Sequence, residues 1–276
     1  MKIYHYTTID SLAMIMSSRS IKFNRLDKVD DIEERVESAS VKLWQYMFVS
    51  CWTENPEESI PLWRMYSGIS HGVRIGLDID MFEDNLIDKS NVPLGLQIEG
   101  SIKSKIPTQD IFDNEYTVMP ITPQIDVQQP DSLFYCHVVY VDDVYEKTKN
   151  TCNINVSESM DVSSKIAFGE IGKYKNKRWD FQEETRFRLL VLPFNPYRCD
   201  PKLIPTIAVK AFQNNKPIPK SALYLKIKQK SLDNIEITLH PNVTQSDRVI
   251  VDALCAKYAK NAKVKESELV DRVVFK

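Results

Sequence analysis

The chain predicts an α+β fold built on a mixed, largely antiparallel central sheet flanked by helices. Three observations lead there. Apolar or alternating runs of strand length recur from the N-terminus into the last third of the chain. Helix-start signals fall between some of these runs, but without the strict alternation of a doubly wound fold. No internal repeat is visible, and 43% hydrophobic with 27% charged residues is the composition of a globular domain with a substantial core.

Taken in order, Lys2–Tyr6 reads as a strand running from edge to core, starting almost at the N-terminus. Thr7 or Thr8 can cap a helix whose apolar stripe is Ile9, Leu12, Ala13, Ile15 and Met16. Ile21–Phe23 is a short strand. Asp27 through Glu37 is acidic, and its latter part is expected to enter a helix through Val36, Ala39, Val41 and Trp44. Tyr46–Cys51 is an apolar run of strand length. Ser59, with Pro61 one step inside, marks a helix over Ile60–Tyr66. Gly68 and Gly72 close that region, and Val73–Asp78 alternates as a strand.

From about 84 to 132 Asn, Gln and Pro accumulate, with Pro107, Pro120, Pro123 and Pro130. This reads as an irregular insertion of short strands and loops within a single domain spanning 1–276. Cys136–Val141 is expected as one strand, and Ser157–Lys177 carries a helical pattern ending in a basic run. Arg186–Leu192 is a strand entered through an acidic turn. After a Pro-rich connection, Leu223–Ile227 and Ile235–Leu239 read as the last central strands. Ser246 and Asp247 start a helix bearing Val249, Ile250, Ala253, Leu254 and Tyr258.

Bulk properties exclude several classes of function. Lys and Arg total 36 against 38 Asp and Glu, so no global charge invites nucleic acid or an acidic membrane. No run approaches 18 apolar residues, so no membrane partner is expected. The five cysteines (Cys51, Cys136, Cys152, Cys199, Cys255) are scattered, odd in number and without C-x-x-C, which suits reduced thiols in the cytoplasm. None of the four histidines stands at metal-ligand spacing from another His or Cys, and no metal is expected. Neither G-x-G-x-x-G nor G-x-x-x-x-G-K-[ST] occurs.

Three polar-aromatic signals remain. In Tyr4-His5-Tyr6-Thr7, strand alternation points His5 away from both tyrosines and puts the Thr7 hydroxyl on its side. A structural histidine bonded to a carbonyl is the competing reading. In Leu62-Trp63-Arg64-Met65-Tyr66-Ser67, Trp63 and Tyr66 share a helix face, either as core aromatics or as a platform for a planar ring. Ser67 and Gly68 would let a ligand approach the backbone there.

The third signal is Trp179 through Arg186. Glu184 and Arg186 alternate onto one strand face, with Gln182 joining them if the strand starts early. That is either a solvated edge or a carboxylate held by a Gln and kept ionised by an Arg. Such a carboxylate can stabilise an oxocarbenium ion and bind a ribose hydroxyl, so the ordered His, Tyr and Glu suit the handling of an N-glycosidic bond.

Two charge clusters read more blandly. Asp27, Asp30, Asp31, Glu33 and Glu34 suit a helix N-terminus, with a divalent-metal site as the alternative. The run Lys173, Lys175, Lys177 and Arg178 suits a solvated helix end, with pyrophosphate contact as the alternative.

These residues resemble a widespread bacterial family of unknown function. Its pattern runs Y-H-Y-[TS], then V-S-C-[FW]-[ST]-E, M-W-x-x-Y-[SA], G-[VI]-x-[IL]-G-[FL] and W-x-x-E-x-E-x-R. The matches are Tyr4–Thr7, Val49–Glu54, Leu62–Ser67, Gly72–Leu77 and Trp179–Arg186, and the resemblance covers most of the chain outside 84–132. The family pattern also holds an N-D-x-x-E-like segment after the first strand and a late Gly-Pro; the chain departs from it with Asp30-Asp31 for Asn-Asp, Gln182 for the first Glu of the late motif, and His240-Pro241 for Gly-Pro.

That family is similar in turn to the ADP-ribosyltransferase superfold. The resemblance implies NAD as substrate and cleavage of its nicotinamide N-glycosidic bond, by transfer to a protein, nucleic acid or small-molecule acceptor or by hydrolysis. It also suggests a role in phage defence. It assigns His5 to the adenosine-side ribose and the nicotinamide amide region, Tyr66 to the nicotinamide ring, and Glu184 to the nicotinamide ribose. Thr7, Trp63, Ser67, Gln182 and Arg186 would complete the NAD-binding wall. Two other functions stay open: a nucleotide- or ligand-sensing module without turnover, and a metal-dependent nuclease using Asp30, Asp31 and Glu33.

Overall fold

The computed structural model describes residues 1–122, 132–156 and 162–275. The fold is α+β around a mixed, largely antiparallel sheet. Strand β1 (Lys2–Thr8) enters at once into α1 (Ile9–Ser18), whose N-terminus is capped by the Thr8 hydroxyl accepting from the Ser11 N–H. Ile9, Leu12 and Met16 are the buried face of α1, a subset of the stripe read from sequence. The chain returns as β2 (Ser20–Arg25).

The helix expected through Val36 and Trp44 does not form. Two-residue strands β3 (Glu37–Ser38) and β4 (Val41–Lys42) make a hairpin instead. Ala39 and Ser40 sit at φ 49° and 62°, the left-handed pair that a tight hairpin turn demands. Short 3₁₀ turns flank it at Ile32–Glu34 and Leu43–Tyr46, so the acidic cluster precedes no α-helix.

Strand β5 (Met47–Thr53), helix α2 (Ile60–Tyr66) and strand β6 (Gly72–Asp78) follow as expected. α2 is capped by Ser59, with Pro in its first turn. The insertion contains β7 (Asn85–Ile87), β8 (Ile102–Ser104), α3 (Thr108–Ile111) and β9 (Thr117–Val118), in keeping with short strands and loops. Its end at Pro123 and Pro130 lies outside the described residues.

The single strand expected over Cys136–Val141 is two. β10 (Tyr135–His137) pairs with the main sheet, whereas β11 (Val139–Val141) joins a separate parallel pair, so the chain breaks register at Val138. After α4 (Val144–Thr148), β12 (Cys152–Val156) pairs with β13 (Val162–Ile166), and β14 (Tyr174–Asn176) pairs with β11. The helix expected over 157–177 is therefore strand and 3₁₀ turn wherever it is described; residues 157–161 lie outside. Cross-strand pairing overrode the local periodicity here.

Strand β15 (Glu184–Leu192), the longest strand among the described residues, is followed by α5 (Ile204–Gln213), β16 (Ala222–Lys226), α6 (Gln229–Asp233) and β17 (Glu236–Leu239). α7 (Gln245–Tyr258) and β18 (Lys263–Lys265) complete the chain. Thr244 and Asp247 form a capping box for α7. The buried face of α7 is Asp247, Val251 and Cys255, while Val249 and Ile250 are exposed, so the stripe expected there is rotated.

Among the described residues ten strands form the main sheet, with spine β10-β15-β5-β1-β6-β17-β18. Only β17–β18 within it is parallel. β16 does not run centrally: it pairs with β2 alone.

One irregularity positions the site. β5 meets β1 at a single bridge, Tyr4↔Thr53, and meets β2 at Asn24↔Val49 and Arg25↔Phe48. Between Thr53 and Val49 the sheet forks, as β1 leaves the edge of β5 and β2 arrives. α1, which joins those two strands, spans the fork. No helix among the described residues is long and apolar enough to cross a membrane.

Candidate functional site

A cavity of about 770 Å³ opens at this fork, in the upper part of the range usual for small-molecule sites. β1 supplies His5 and Thr7, and β5 supplies Val49 through Thr53. Tyr66 comes from the end of α2, and Gln182, Glu184 and Arg186 from the entry to β15. Elements far apart in the chain thus bring together the proposed His, Tyr and Glu.

Glu184 sits directly opposite Thr53, and Arg186 opposite Cys51, in the β15–β5 ladder. The residue before Glu184 makes that placement possible. Glu183 closes the preceding 3₁₀ turn in the left-handed region at φ 43°, so Gln182 is still in the turn while Glu184 begins the strand. Both side chains are buried and reach one ammonium: Lys175 Nζ donates to Gln182 Oε1 at 2.6 Å and to Glu184 Oε2 at 3.2 Å.

Beneath Glu184 lies a buried charge cluster. Arg186 Nε donates to Glu184 Oε1 at 2.5 Å, and Arg186 Nη2 to Glu34 Oε1 at 2.9 Å. Arg186 Nη1 bonds Glu34 Oε2 and the Gly172 carbonyl. Arg186 is 0% exposed, Glu34 1% and Lys175 2%. Two carboxylates and two cations balance, as burial of this kind requires. Burial alone would raise the Glu184 pKa, but Arg186 and Lys175 outweigh it and bring it down to about 2. Glu34 goes the other way: burial raises it, and Arg186 opposes this only in part.

A chain of hydrogen bonds leaves this cluster for Tyr66. Gln182 Nε2 donates to Tyr66 Oη at 3.0 Å, and Tyr66 Oη donates to Asp30 Oδ2 at 2.5 Å. Burial and the neighbouring Asp30 push the Tyr66 hydroxyl up, so it stays protonated. The ring is therefore fixed at the cavity wall from both sides.

His5 Nδ1 bonds the Cys51 carbonyl at 2.8 Å, and its ring lies 5.1 Å from that of Trp52. A carbonyl can only accept, so Nδ1 carries the proton. Burial lowers the His5 pKa and favours the neutral ring. Neutral His5 thus offers Nε2 as an acceptor, the partner a ligand hydroxyl needs. The structural role first weighed for His5 and the ligand role coexist on its two nitrogens. The Cys51 thiol hydrogen-bonds Glu184 and is pushed up by burial, so it is no thiolate nucleophile.

Two expected wall residues lie elsewhere. Trp63 is fully buried in a small cluster with Tyr6, Leu62 and Phe275, edge-on to Tyr6 and His240, and its indole N–H donates to Glu58 at 2.8 Å. It is a core aromatic: it shares a helix face with Tyr66, but its ring is enclosed by Tyr6, His240 and the C-terminal segment at Phe275, and Tyr66 packs against the edge of that cluster. Ser67 is buried with its hydroxyl donating to the Trp63 carbonyl. The backbone of Gly72 passes so close that an added Cβ would stand 1.9 Å from the Ser67 Cβ. Space there is filled by the chain itself.

Arg186 acts on Glu184 from below, with its donors committed to Glu184, Glu34 and Gly172. Lys175, read as part of a solvated helix end, is the buried ammonium of the site; only the alternation Tyr174, Lys175, Asn176 could have signalled a strand. Glu34, read as a helix N-terminal charge, is the second counter-ion of Arg186.

The remaining acidic residues are committed separately. Asp30 accepts from Tyr66, Asp31 Oδ1 from the Glu33 N–H, and Glu33 from Asn176 Nδ2. Among the described residues no group of three or more His, Cys, Asp or Glu could hold a metal ion. No protein-family model, curated protein or solved structure matches this chain.

Proposed function

We propose that this cavity binds NAD and cleaves its nicotinamide N-glycosidic bond, on an ADP-ribosyltransferase-like fold of the bacterial family that the motifs resemble. The observation that carries the reading is Glu184, a buried carboxylate kept ionised at the wall of a cavity shared with His5 and Tyr66. Heterolysis sends the C1′–N electron pair to the departing nicotinamide and leaves positive charge on the ribose. An anion fixed before the reaction stabilises that charge without reorganisation. Of the roughly four acceptor positions of Glu184, Arg186, Lys175 and the Cys51 thiol occupy three, so acceptor capacity remains for one ribose hydroxyl.

In this mechanism Tyr66 presents its ring to the nicotinamide and His5 Nε2 accepts from a sugar hydroxyl. A nucleophile, either water or the oxygen or nitrogen of an acceptor, then adds to C1′ and loses its proton. Defence against phage in the cytoplasm is a setting compatible with such chemistry.

The test is nicotinamide release from NAD by the purified protein beside Glu184→Gln. The variant keeps the shape and removes the charge, and release should fall by at least about a hundredfold. A second reading has one observation in its favour: the Glu184 charge is already neutralised by two cations. A sensing module would bind NAD with no release in either protein.

A further inference from the structure

The cavity extends well beyond the Glu184 cluster, to a far wall built by α1, β2 and β16. On β2 the alternation puts Ile21 and Phe23 into the core and turns Ser20, Lys22 and Asn24 toward the cavity side. Tyr224 lies directly opposite Lys22 in the β16–β2 ladder, so the two side chains stand side by side on one sheet face. From α1, Met14, Ile15 and Ser18 line the same cavity, with Met14 and Ser18 one turn apart. Tyr224 is 55% exposed and Met14 67%, both lining the cavity. A large aromatic and a large apolar side chain left open in one cavity offer surface for a flat ring.

Two cations accompany that surface. No described residue forms an ion pair with Lys22. Lys28 stands 3.8 Å from Asp27 Oδ2, but Asp27 is already held by Arg25 at 2.7 and 3.0 Å. Lys28 also precedes by two residues Asp30, the acceptor of the Tyr66 hydroxyl. Lys22 thus stands beside the exposed aromatic, and Lys28 lines the same cavity near the segment that holds Tyr66.

We infer that this far wall is a nucleoside-diphosphate subsite. The base stacks on Tyr224 with Met14 adding apolar contact, and Lys22 with Lys28 meets the phosphates. Each part follows from residue chemistry: a tyrosine face stacks on any aromatic base, and an unpaired ammonium beside it favours an anion. The inference deepens the reading of the cavity as a dinucleotide site and rests on it for the identity of the full ligand.

ADP is the probe, because it carries the base and the diphosphate but no nicotinamide bond. Calorimetry should show ADP binding to the wild-type protein, weakened about tenfold by Tyr224→Ala and little changed by Tyr224→Phe, which keeps the ring. Lys22→Ala should weaken binding about fivefold at low salt, with the difference shrinking as salt is raised. Both positions are exposed, so folding is preserved. Absence of ADP binding, or equal binding by Tyr224→Ala and Lys22→Ala, overturns the subsite even if nicotinamide is released. Loss of nicotinamide release with variant-sensitive ADP binding would instead sink the glycosidic reading and leave the subsite standing.

Discussion

Glu34 and Glu184 share one guanidinium. Arg186 offers Nε to Glu184 and its two terminal nitrogens to Glu34, with Lys175 bridging the same pair at 3.7 and 3.2 Å. The proposed reactive carboxylate is therefore one corner of a buried, charge-balanced square, and one of the groups that sets its position, Glu34, lies outside the cavity lining.

Removing the central cation should be costly. Arg186→Met leaves two buried carboxylates with one ammonium, and we expect a stability loss of about 3–5 kcal/mol in denaturant melts. The double variant Glu34→Gln/Arg186→Gln should lose clearly less than the sum of its singles, because each single strands a charge the other had balanced. Additive losses would show that the four residues do not act as one unit.

The two carboxylates give opposite pH signatures. Glu184 is depressed from 4.5 to about 2, so its stabilising contribution is complete above pH 4.5 and drains away as pH falls toward 2. Glu34 is raised above 4.5; it binds its proton more tightly folded than unfolded, so its contribution is lost as pH rises through its folded value. Stability measured against pH should flatten between 4.5 and 2 in Glu184→Gln. In Glu34→Gln the decline of stability as pH rises above 4.5 should be shallower than in wild type, whatever the offset from losing the Arg186 contacts. Unchanged profiles would contradict both assignments.

Tyr66 separates ring from hydroxyl. Tyr66→Phe removes the link between Gln182 and Asp30, at a cost of about 1 kcal/mol in stability, but keeps the cavity wall. NAD affinity, read by calorimetry, should change little in Tyr66→Phe and fall about tenfold or more in Tyr66→Ala. Equal losses in both would mean that the hydroxyl, not the ring, meets the ligand.

Glu58 ties the C-terminal segment to α2. Its carboxylate accepts from Trp63 Nε1 at 2.8 Å, from Ser267 Oγ at 2.6 Å and from the Glu268 N–H at 2.7 Å. Glu58→Ala leaves these donors unmatched and should cost about 2–3 kcal/mol. Hydrogen exchange at the Glu268 and Leu269 amides should accelerate, while the Arg188 amide in β15 stays protected. A change confined to β15 would rule out this clamp.

Elements with strong local signals were legible in the sequence. β1, β5, α2, β6 and β15 lie within a residue or two of their expected bounds, because apolar runs and the Ser59–Pro61 cap are local physics. The elements that failed share a cause. The Ala39–Ser40 turn is decided by a two-residue hairpin pairing, and the split at Val138 and the strand at Lys175 by pairing with distant strands. Their local periodicity is weak enough for that pairing to override it.

For the site, the sequence alone determined which residue types stood ready: His5 beside Thr7 on one strand face, Tyr66 at a helix end, Glu184 and Arg186 two apart. Alternation and helical rotation act within a few residues, so they settle which side chains share a face. Only the tertiary structure decided that these faces meet at the fork between β1, β5 and β2, that Trp63 turns into the core, and that Lys175 and Glu34 complete the charge balance. Those outcomes depend on burial, which makes an unpaired charge expensive. Burial is a property of the whole packed chain, not of any short stretch of it.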